Sequence, residues 1–492
     1  MQLKSTLISV VPVLLVVVIV TYSYMSLAWE LYKVEVERGG KGYVTDEVWY
    51  VSAARNILRR VFGVQPRQAS GVPGVTVVFS TSECSVKWVW VKSKLVELAS
   101  KHGLSANADY GCSTSDKKLC AVYVSGPSVD IDSFVNEAKS YCIVVDVVPG
   151  WMLPDADGIH EYINWEHPPL GKYAILLSMY ALGDDPRYWR IPVIIAGVIT
   201  AILVYFTLLR LSSRLEVALI GALLAALDPM SRALFSISIL DGYVALFAVL
   251  SMYLSVRRKY REALLVAVIG GLFKATGLFT AIPVILLASR DAAIKANRST
   301  VVFVKSVVIY SIVVIALYFT LLPLVSIPII RYMGINDWVQ YALIGAIRWH
   351  LSVKCTGPQC PVASAPWEWF VGLNSFTLYV YPDGRGLFAE GLYPLWLASL
   401  LLLVVYAPLV FKGLKEYGYV VVYYVGVLVG YIAIWLLGSK TQYSFYGVHL
   451  APFIYMNLVY ILYISFTRVE VPWSAVTTWK TLLEKALKLL LV

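Results

Sequence analysis

Two short tracts of this chain crowd acidic, basic and imidazole groups together: Asp46-Glu47, and Glu166-His167-Pro168-Pro169-Leu170-Gly171-Lys172. A carboxylate held near an apolar surface can act as a general base, drawing a proton from an incoming hydroxyl, and Asp46 is the candidate. Thr45-Asp46-Glu47 equally suits a helix N-terminus, where carboxylates complement the dipole; the doublet alone leaves both readings open. In the second tract two prolines fix the backbone and present His167 and Lys172 at little entropic cost. Cationic or donor groups there could stabilise a departing phosphate. The alternative is that both sit in the headgroup layer, with Lys172 snorkelling. Asp241 and Lys274 fall at or near the ends of apolar segments, where an unpaired charge costs several kcal/mol. They are functional candidates, with a mutual salt bridge as the structural alternative. Trp349-His350 and Ser364-Ala365-Pro366-Trp367-Glu368-Trp369 add aromatics. Tryptophans at this position usually form an interfacial belt, and sugar stacking or lipid gripping by Trp367 and Trp369 is the functional alternative.

The elements that must position these groups are apolar. Of the 492 residues, 59% are hydrophobic and 15% charged, with mean hydropathy +0.70. That lies outside the range of soluble domains, and apolar runs of about 20 residues recur, long enough to cross a bilayer as helices. Ten spans are predicted, near residues 6–27, 191–209, 215–230, 241–256, 262–273, 275–289, 301–324, 391–411, 418–437 and 447–467. The first lacks a clear cleavage site and is read as a span rather than a signal peptide. Basic clusters follow alternate spans: Arg210 and Arg214; Arg257, Arg258, Lys259 and Arg261; Arg290, Lys295 and Arg298; Lys412 and Lys415; Arg468. Positive-inside reasoning puts these in the cytoplasm and loops 28–190, 231–240, 325–390 and 438–446 outside. The net charge of +10 is thereby explained by loop placement, not by nucleic acid.

Residues 262–289 could form one long span or two short helices meeting at Lys274. All six cysteines (Cys84, Cys112, Cys120, Cys142, Cys355, Cys360) lie in two long loops, a pattern that suggests disulfides in an oxidising exterior. Two helices keep every cysteine outside and are preferred. Cys355-x4-Cys360 could instead be half a zinc site, but four ligands would be needed and no second pair matches. The five histidines and six cysteines give no persuasive metal site, and no Walker, Rossmann, Ser-His-Asp or metalloprotease motif is present.

Residues 65–150 read as an inserted domain. Strands are predicted at Val75–Thr81, Ala106–Cys112, Leu119–Ser125 and Ile143–Val148, and helices at Val86–His102 and Asp130–Tyr141, with a turn over Ser113–Lys118. This β-α-β-β-α-β order is that of a ferredoxin-like fold. That topology would let Cys84 meet Cys142 and Cys112 meet Cys120, although four cysteines allow three pairings. Upstream, Val51–Val61 is amphipathic and would lie on the membrane with Arg55, Arg59 and Arg60 facing polar surroundings. The tail 469–492 reads as a cytoplasmic interfacial helix. The expected architecture is an all-α polytopic membrane protein with an inserted α/β ferredoxin-like extracytoplasmic domain. Its parts are residues 1–64 (first span and acidic loop helix), 65–150, a membrane core over 151–468 with an outer loop at 325–390, and the tail.

The chain resembles the protein O-mannosyltransferases, polytopic glycosyltransferases of the GT-C fold that use dolichyl-phosphate-linked mannose. Asp46-Glu47 resembles the family's Asp-Glu at the end of the first span, and His167-Pro168-Pro169-Leu170-Gly171-Lys172 matches its His-Pro-Pro-Leu-Gly-Lys. Lys274-Ala275-Thr276-Gly277-Leu278 resembles its Lys-Trp-Thr-Gly-Leu, and Pro361–Trp369 its Pro-Tyr-Ala-Ser-Pro-Trp-Trp-Ser-Trp; Asp228-Pro229 and Leu240-Asp241 also fit. The resemblance implies that Asp46 activates an acceptor hydroxyl and that His167, Lys172, Lys274 and His350 surround the donor phosphate; Glu47, Tyr50, Glu166, Asp241, Trp367 and Trp369 are further candidates for binding substrate. There are departures. The family's acidic residue two before the His is Trp165, and Glu166-x-Pro-Pro-Leu resembles the lipid A aminoarabinose transferases; Ser236 stands where an Arg is usual, with Arg232 nearby; a β-trefoil domain is absent. The implied donor is a polyprenyl- or dolichyl-phosphate sugar, as substrate and with no cofactor. The implied acceptor is a protein Ser/Thr hydroxyl or, as the alternative, a lipid or polysaccharide, with the active site facing out of the cell membrane. A transporter or scaffold is the non-enzymatic alternative. Inverted repeats would favour it, and none is apparent.

Overall fold

The computed structural model describes residues 2–490 except 70, 86, 109, 113–117, 354, 356, 358, 359 and 413. Every apolar stretch predicted as a span is helical, as it must be where no water can satisfy the backbone. Six helices among the described residues are long and apolar enough to cross a membrane alone, fewer than the ten expected, and they make this a multi-pass membrane protein. The difference lies in stretches that stop short. Leu215–Leu227 has 13 residues and ends at Asp228, whose carboxylate accepts from the N–H groups of Met230 and Ser231 and so caps a new helix, Pro229–Leu234. Asp241–Val256 has 16 residues. The last stretch, Ala451–Thr467, bends by 108° into the helix that starts at Glu470. At 1.5 Å per residue a 13-residue helix covers ~20 Å, short of a ~30 Å hydrocarbon core.

The stretch 262–289 is two helices. Tyr260–Phe273 stops at Lys274, which is extended (φ −155°, ψ 135°), and the chain restarts as a 3-10 turn, Ala275–Thr280, leading into Ala281–Lys295. A Cβ at Gly277 would run into the backbone of Gly270, so this glycine lets the two segments close on one another. An apolar helix absent from the predicted spans, Leu170–Leu182, follows directly on the Pro-Pro tract. A Cβ at Gly171 would strike Leu240, which explains the small residue between Leu170 and Lys172. The helix Thr300–Met333 runs past its predicted end at 324.

The inserted domain has four strands: β1 (Gly74–Cys84), β2 (Ser105–Ala108), β3 (Leu119–Ser125) and β4 (Cys142–Pro149). Their order is β2-β3-β1-β4 with all neighbours antiparallel. With helices Trp88–Lys101 and Ser128–Ala138 this is the ferredoxin-like arrangement. β2 is shorter than predicted, and the predicted turn lies, apart from Lys118, outside the described residues. Val91, Leu95 and Phe134 of the helices pack on Val77, Phe79 and Val122 of the sheet. The other face, with Val78, Ala121 and Val148, packs on Leu153 and Ile159 of the returning chain. Disulfides join Cys84 to Cys142, Cys112 to Cys120 and Cys355 to Cys360.

The arginines of Val51–Val61 do not face a polar surface. Arg55 is fully buried and donates to Asp184 at 2.6 and 3.0 Å, and Asp184 also accepts from Trp189 Nε1 (2.7 Å) and Trp151 N (3.0 Å). Arg59 and Arg60 both grip Asp146 of β4 at 2.7 Å. Buried charges must be paired, and here the pairing ties the surface helix to the inserted domain.

Candidate active site

The doublet Asp46-Glu47 opens the helix Glu47–Asn56, with Asp46 at the N-cap position. Asp46 makes no side-chain capping bond to that helix. Glu47 reaches back instead to the turn before the helix, where its Oε2 accepts from Val44 N at 2.9 Å. Glu47 is wholly buried and takes a two-pronged ion pair from Arg190 (2.8 and 2.7 Å) and a bond from Ser238 N (2.6 Å). Its expected substrate role therefore gives way to a structural one. It locks the N-terminal end of the Ile191–Ser212 helix to the acidic turn, with Arg190 also donating to Ala28 O and Gly42 O. Asp46 stays half-buried, behind Thr45, a β-branched residue in the left-handed region at φ +45°.

One turn along the helix, the Tyr50 hydroxyl lies 3.4 Å from His167 Nε2. Burial, and then the Asp46 carboxylate, hold that hydroxyl well above the usual tyrosine pKa. The His167 ring is 5.1 Å from that of His350, and His350 Nε2 lies 2.9 Å from the Glu166 carbonyl oxygen. The structure thus brings together Asp46, Tyr50, Glu166, His167 and His350 from three separate segments. Glu166 accepts from Tyr162 and, at 3.0 Å, from Asn164. Lys172 points back beneath the tract, where its ammonium donates to the carbonyls of Asn164 and, at 2.7 Å, His167. It fastens the Pro-Pro tract, since a buried ammonium needs several acceptors, and it also lines the apolar groove between this tract and the 275–279 turn.

Lys274 donates to both oxygens of Asp241 at 2.8 Å, with both residues buried. The salt bridge considered as the structural alternative is present. The ammonium also lies 4.2 Å from the centre of the Tyr446 ring. Asp241 and Asp46 both act electrostatically on Tyr50 and Tyr446. Trp369 is buried, donates to Ser364 Oγ at 2.9 Å and packs edge-on against Tyr431; it belongs to the core rather than to a binding surface. Trp367 is exposed and stacks edge-on with Trp435, 4.7 Å between centroids.

Tyr443 and Tyr446, which the sequence reading passes over, also border the site. Burial, and then the Asp46 charge, raise the Tyr443 pKa. The available signal is the aromatic run Tyr443-Ser444-Phe445-Tyr446 in a predicted outer loop. For Arg190 it is a basic residue, with Arg187 just before it, at the end of a span predicted to face outside, against the positive-inside trend.

From His167 and His350 an apolar groove of about 300 Å³ runs between the Pro-Pro tract, the 275–279 turn and the helices 300–333 and 335–351. Its walls include Leu322, Ile329, Ala342, Leu343 and Ile347, and its polar lining residues include Glu166, His167, Lys172, Thr276, Ser326 and His350. Such a shape suits an amphiphile with a chain in the groove and an anionic head against the imidazoles.

The family model described as dolichyl-phosphate-mannose-protein mannosyltransferase matches residues 166–325. The match begins at Glu166, takes in Asp241 and Lys274, and ends in the helix that walls the groove. No curated protein matches the chain. Among solved structures, the crystal structure of ArnT from Cupriavidus metallidurans bound to undecaprenyl phosphate is similar at 12% identity and a TM-score of 0.36. The similarity covers 61% of this chain and 50% of that one, so the chain spans half the length of that protein. Over residues 166–325, which include the Pro-Pro tract, the chain is similar to the dolichyl-phosphate-mannose-protein mannosyltransferase family.

Proposed function

We propose that the protein transfers a hexose, mannose by family resemblance, from a polyprenyl or dolichyl phosphate to a Ser or Thr hydroxyl of an acceptor protein on the extracytoplasmic face. One observation carries the reading: a lipid-sized apolar groove ends at two imidazoles, and Tyr50 links His167 to the helix that Asp46 opens. Asp46 takes the acceptor proton. The acceptor oxygen bonds to the anomeric carbon from the face opposite the phosphate, and the bond from that carbon to the phosphate oxygen breaks, with the electron pair leaving on the phosphate. The configuration inverts. His167 and His350, with the Tyr50 hydroxyl, face the developing phosphate charge, where donors fixed in a low-dielectric site act most strongly. Asp241 and Lys274, as a neutral pair, shape the cavity behind them.

The Glu166-x-Pro-Pro-Leu pattern supports a second reading, in which the same site glycosylates a lipid or polysaccharide. The test is transfer from a labelled polyprenyl-phosphate sugar in membranes holding the full chain, with and without Asp46→Asn. Label in protein Ser/Thr supports the first reading and label in glycan the second. Undiminished transfer by a folded Asp46→Asn variant would overturn the role of Asp46.

A further inference from the structure

At the other end of the groove helices lies a second, larger cleft. Ala281–Lys295 starts just after the turn that borders the groove and ends at this cleft, to which it contributes Arg290 and Ile294. Thr300–Met333 gives Thr300 and Phe303 to this cleft and Leu322 and Ile329 to the groove. Lys415–Leu436 gives Lys415 and Val422 here and Ile434 there. Three helices thus run from one cavity to the other, and the two cavities open at opposite ends of them.

The cleft holds about 1170 Å³ and adjoins a smaller cavity of about 510 Å³ through the shared residues Arg290, Ile294 and Lys415. Its walls include Phe303, Val410, Val421, Val422 and Leu482, the last from the helix Glu470–Leu490 that lies across the bundle end. Basic groups gather at the junction. Arg290, Arg298 and Lys415 line the cleft, and Arg210, Arg258 and Lys295 line the neighbouring cavity or its rim, against two acids, Asp291 and Glu416. Asp291 is engaged: it accepts from Tyr260 at 2.9 Å and faces Arg258, which the Tyr419 hydroxyl also holds. Arg290, Arg298 and Lys415 take part in no ion pair among the described residues. An apolar trough that ends in several arginines and lysines without acidic partners, beside a bilayer, fits a lipid chain with a phosphate head.

We propose that this cleft binds an anionic glycerophospholipid of the surrounding bilayer, with its phosphate on Arg290, Arg298 and Lys415 and a chain between Phe303, Val422 and Leu482. The lipid would wedge the helix Glu470–Leu490 against the bundle. The site is distinct from the groove at His167 and does not depend on the activity proposed for it.

The test uses the full chain in a neutral detergent, titrated with short-chain phosphatidylglycerol or phosphatidylcholine and read by native mass spectrometry and thermal unfolding. Wild type should retain one phosphatidylglycerol at least tenfold more tightly than phosphatidylcholine, with a Tm rise that high salt weakens. The triple variant R290Q/R298Q/K415Q should lose that preference. The variant R290K/R298K/K415R, which keeps the charges, should preserve it and so separates lost binding from lost folding. Equal retention of the two lipids by wild type, or an unchanged preference in the glutamine variant, overturns the proposal. So does displacement of the bound lipid by undecaprenyl phosphate at equimolar amounts, which would assign the cleft to the prenyl lipid.

Discussion

Adjacent carboxylates at positions 46 and 47 carry different burdens, and substitution should separate them. Glu47 is buried in an ion pair with Arg190. Removing one partner of such a pair leaves an uncompensated charge and costs about 3–5 kcal/mol. Glu47→Gln should therefore lower the yield of folded protein and the Tm measured in detergent. Asp46 is only half-buried and makes no side-chain capping bond to its helix. Asp46→Asn should keep the Tm of the parent while transfer falls by about 10²–10⁴-fold, the usual contribution of a general base. The ion pair Asp241–Lys274 belongs with Glu47. Lys274→Met alone should destabilise strongly, and the double substitution Asp241→Asn with Lys274→Met should recover much of the loss, because no lone charge then remains. Thermal unfolding of the two variants in parallel reads this directly. A phosphate-binding Lys274 would instead leave Tm nearly unchanged and raise the KM for the donor.

At the scale of elements, the inserted domain is held to the membrane core by polar contacts that titrate. His160 is buried, with its Nδ1 3.0 Å from the Tyr110 hydroxyl, and burial pushes its pKa below the ordinary 6.5. The folded protein then binds fewer protons there than the unfolded chain, so this contribution is complete above pH 6.5 and declines as pH falls below it. Burial opposes ionisation of Asp146, but the Arg59 hydrogen bond and the Arg59 and Arg60 charges overcome it and hold the carboxyl below its usual 3.8. That contribution is present above pH 3.8 and declines as pH falls through the lowered value. Hydrogen-exchange protection, corrected for the intrinsic pH dependence of the rate, should fall at Val78, Ala121 and Val148 in two acid steps, one starting just under pH 6.5 and one below about pH 4. Protection that is flat from pH 7 to 5 would remove His160 from the docking contact. The β-α-β-β-α-β order of this domain was legible because β1, β3 and β4 carry β-branched residues with turn signals between, whereas β2 (Ser105–Ala108) has none and came out shorter than predicted. The short helix Leu170–Leu182 was not. Its 13 residues are too few to signal a span, and their periodicity is lost because neighbours cover several faces at once. The number of full-length spans was overstated for a related reason: hydropathy at Leu215–Leu227 and Asp241–Val256 reports burial among helices as readily as burial in lipid.

In the whole molecule, the groove is made by residues that sequence reading had no reason to join. The Pro-Pro tract was singled out by its chemistry, and His350 through the family resemblance. The walls come from ordinary leucines and isoleucines on two later helices, and only packing reveals that they share a surface. Ala342 is one of the small positions on that surface, so a bulky side chain there tests whether a lipid chain lies in the groove. Ala342→Trp would exclude about two methylenes of bound chain, worth ~0.8 kcal/mol each, or a little over tenfold in affinity. The expected result is a KM about tenfold higher for a long-chain polyprenyl-phosphate sugar, with kcat little changed because the reacting groups at Asp46, His167 and His350 are untouched. A donor analogue with a single prenyl unit, too short to reach Ala342, should show the same KM in parent and variant. If the variant raised KM equally for both donors, the chain would not run along these helices, and the imidazoles lining the groove would lose their meaning as a lipid phosphate seat.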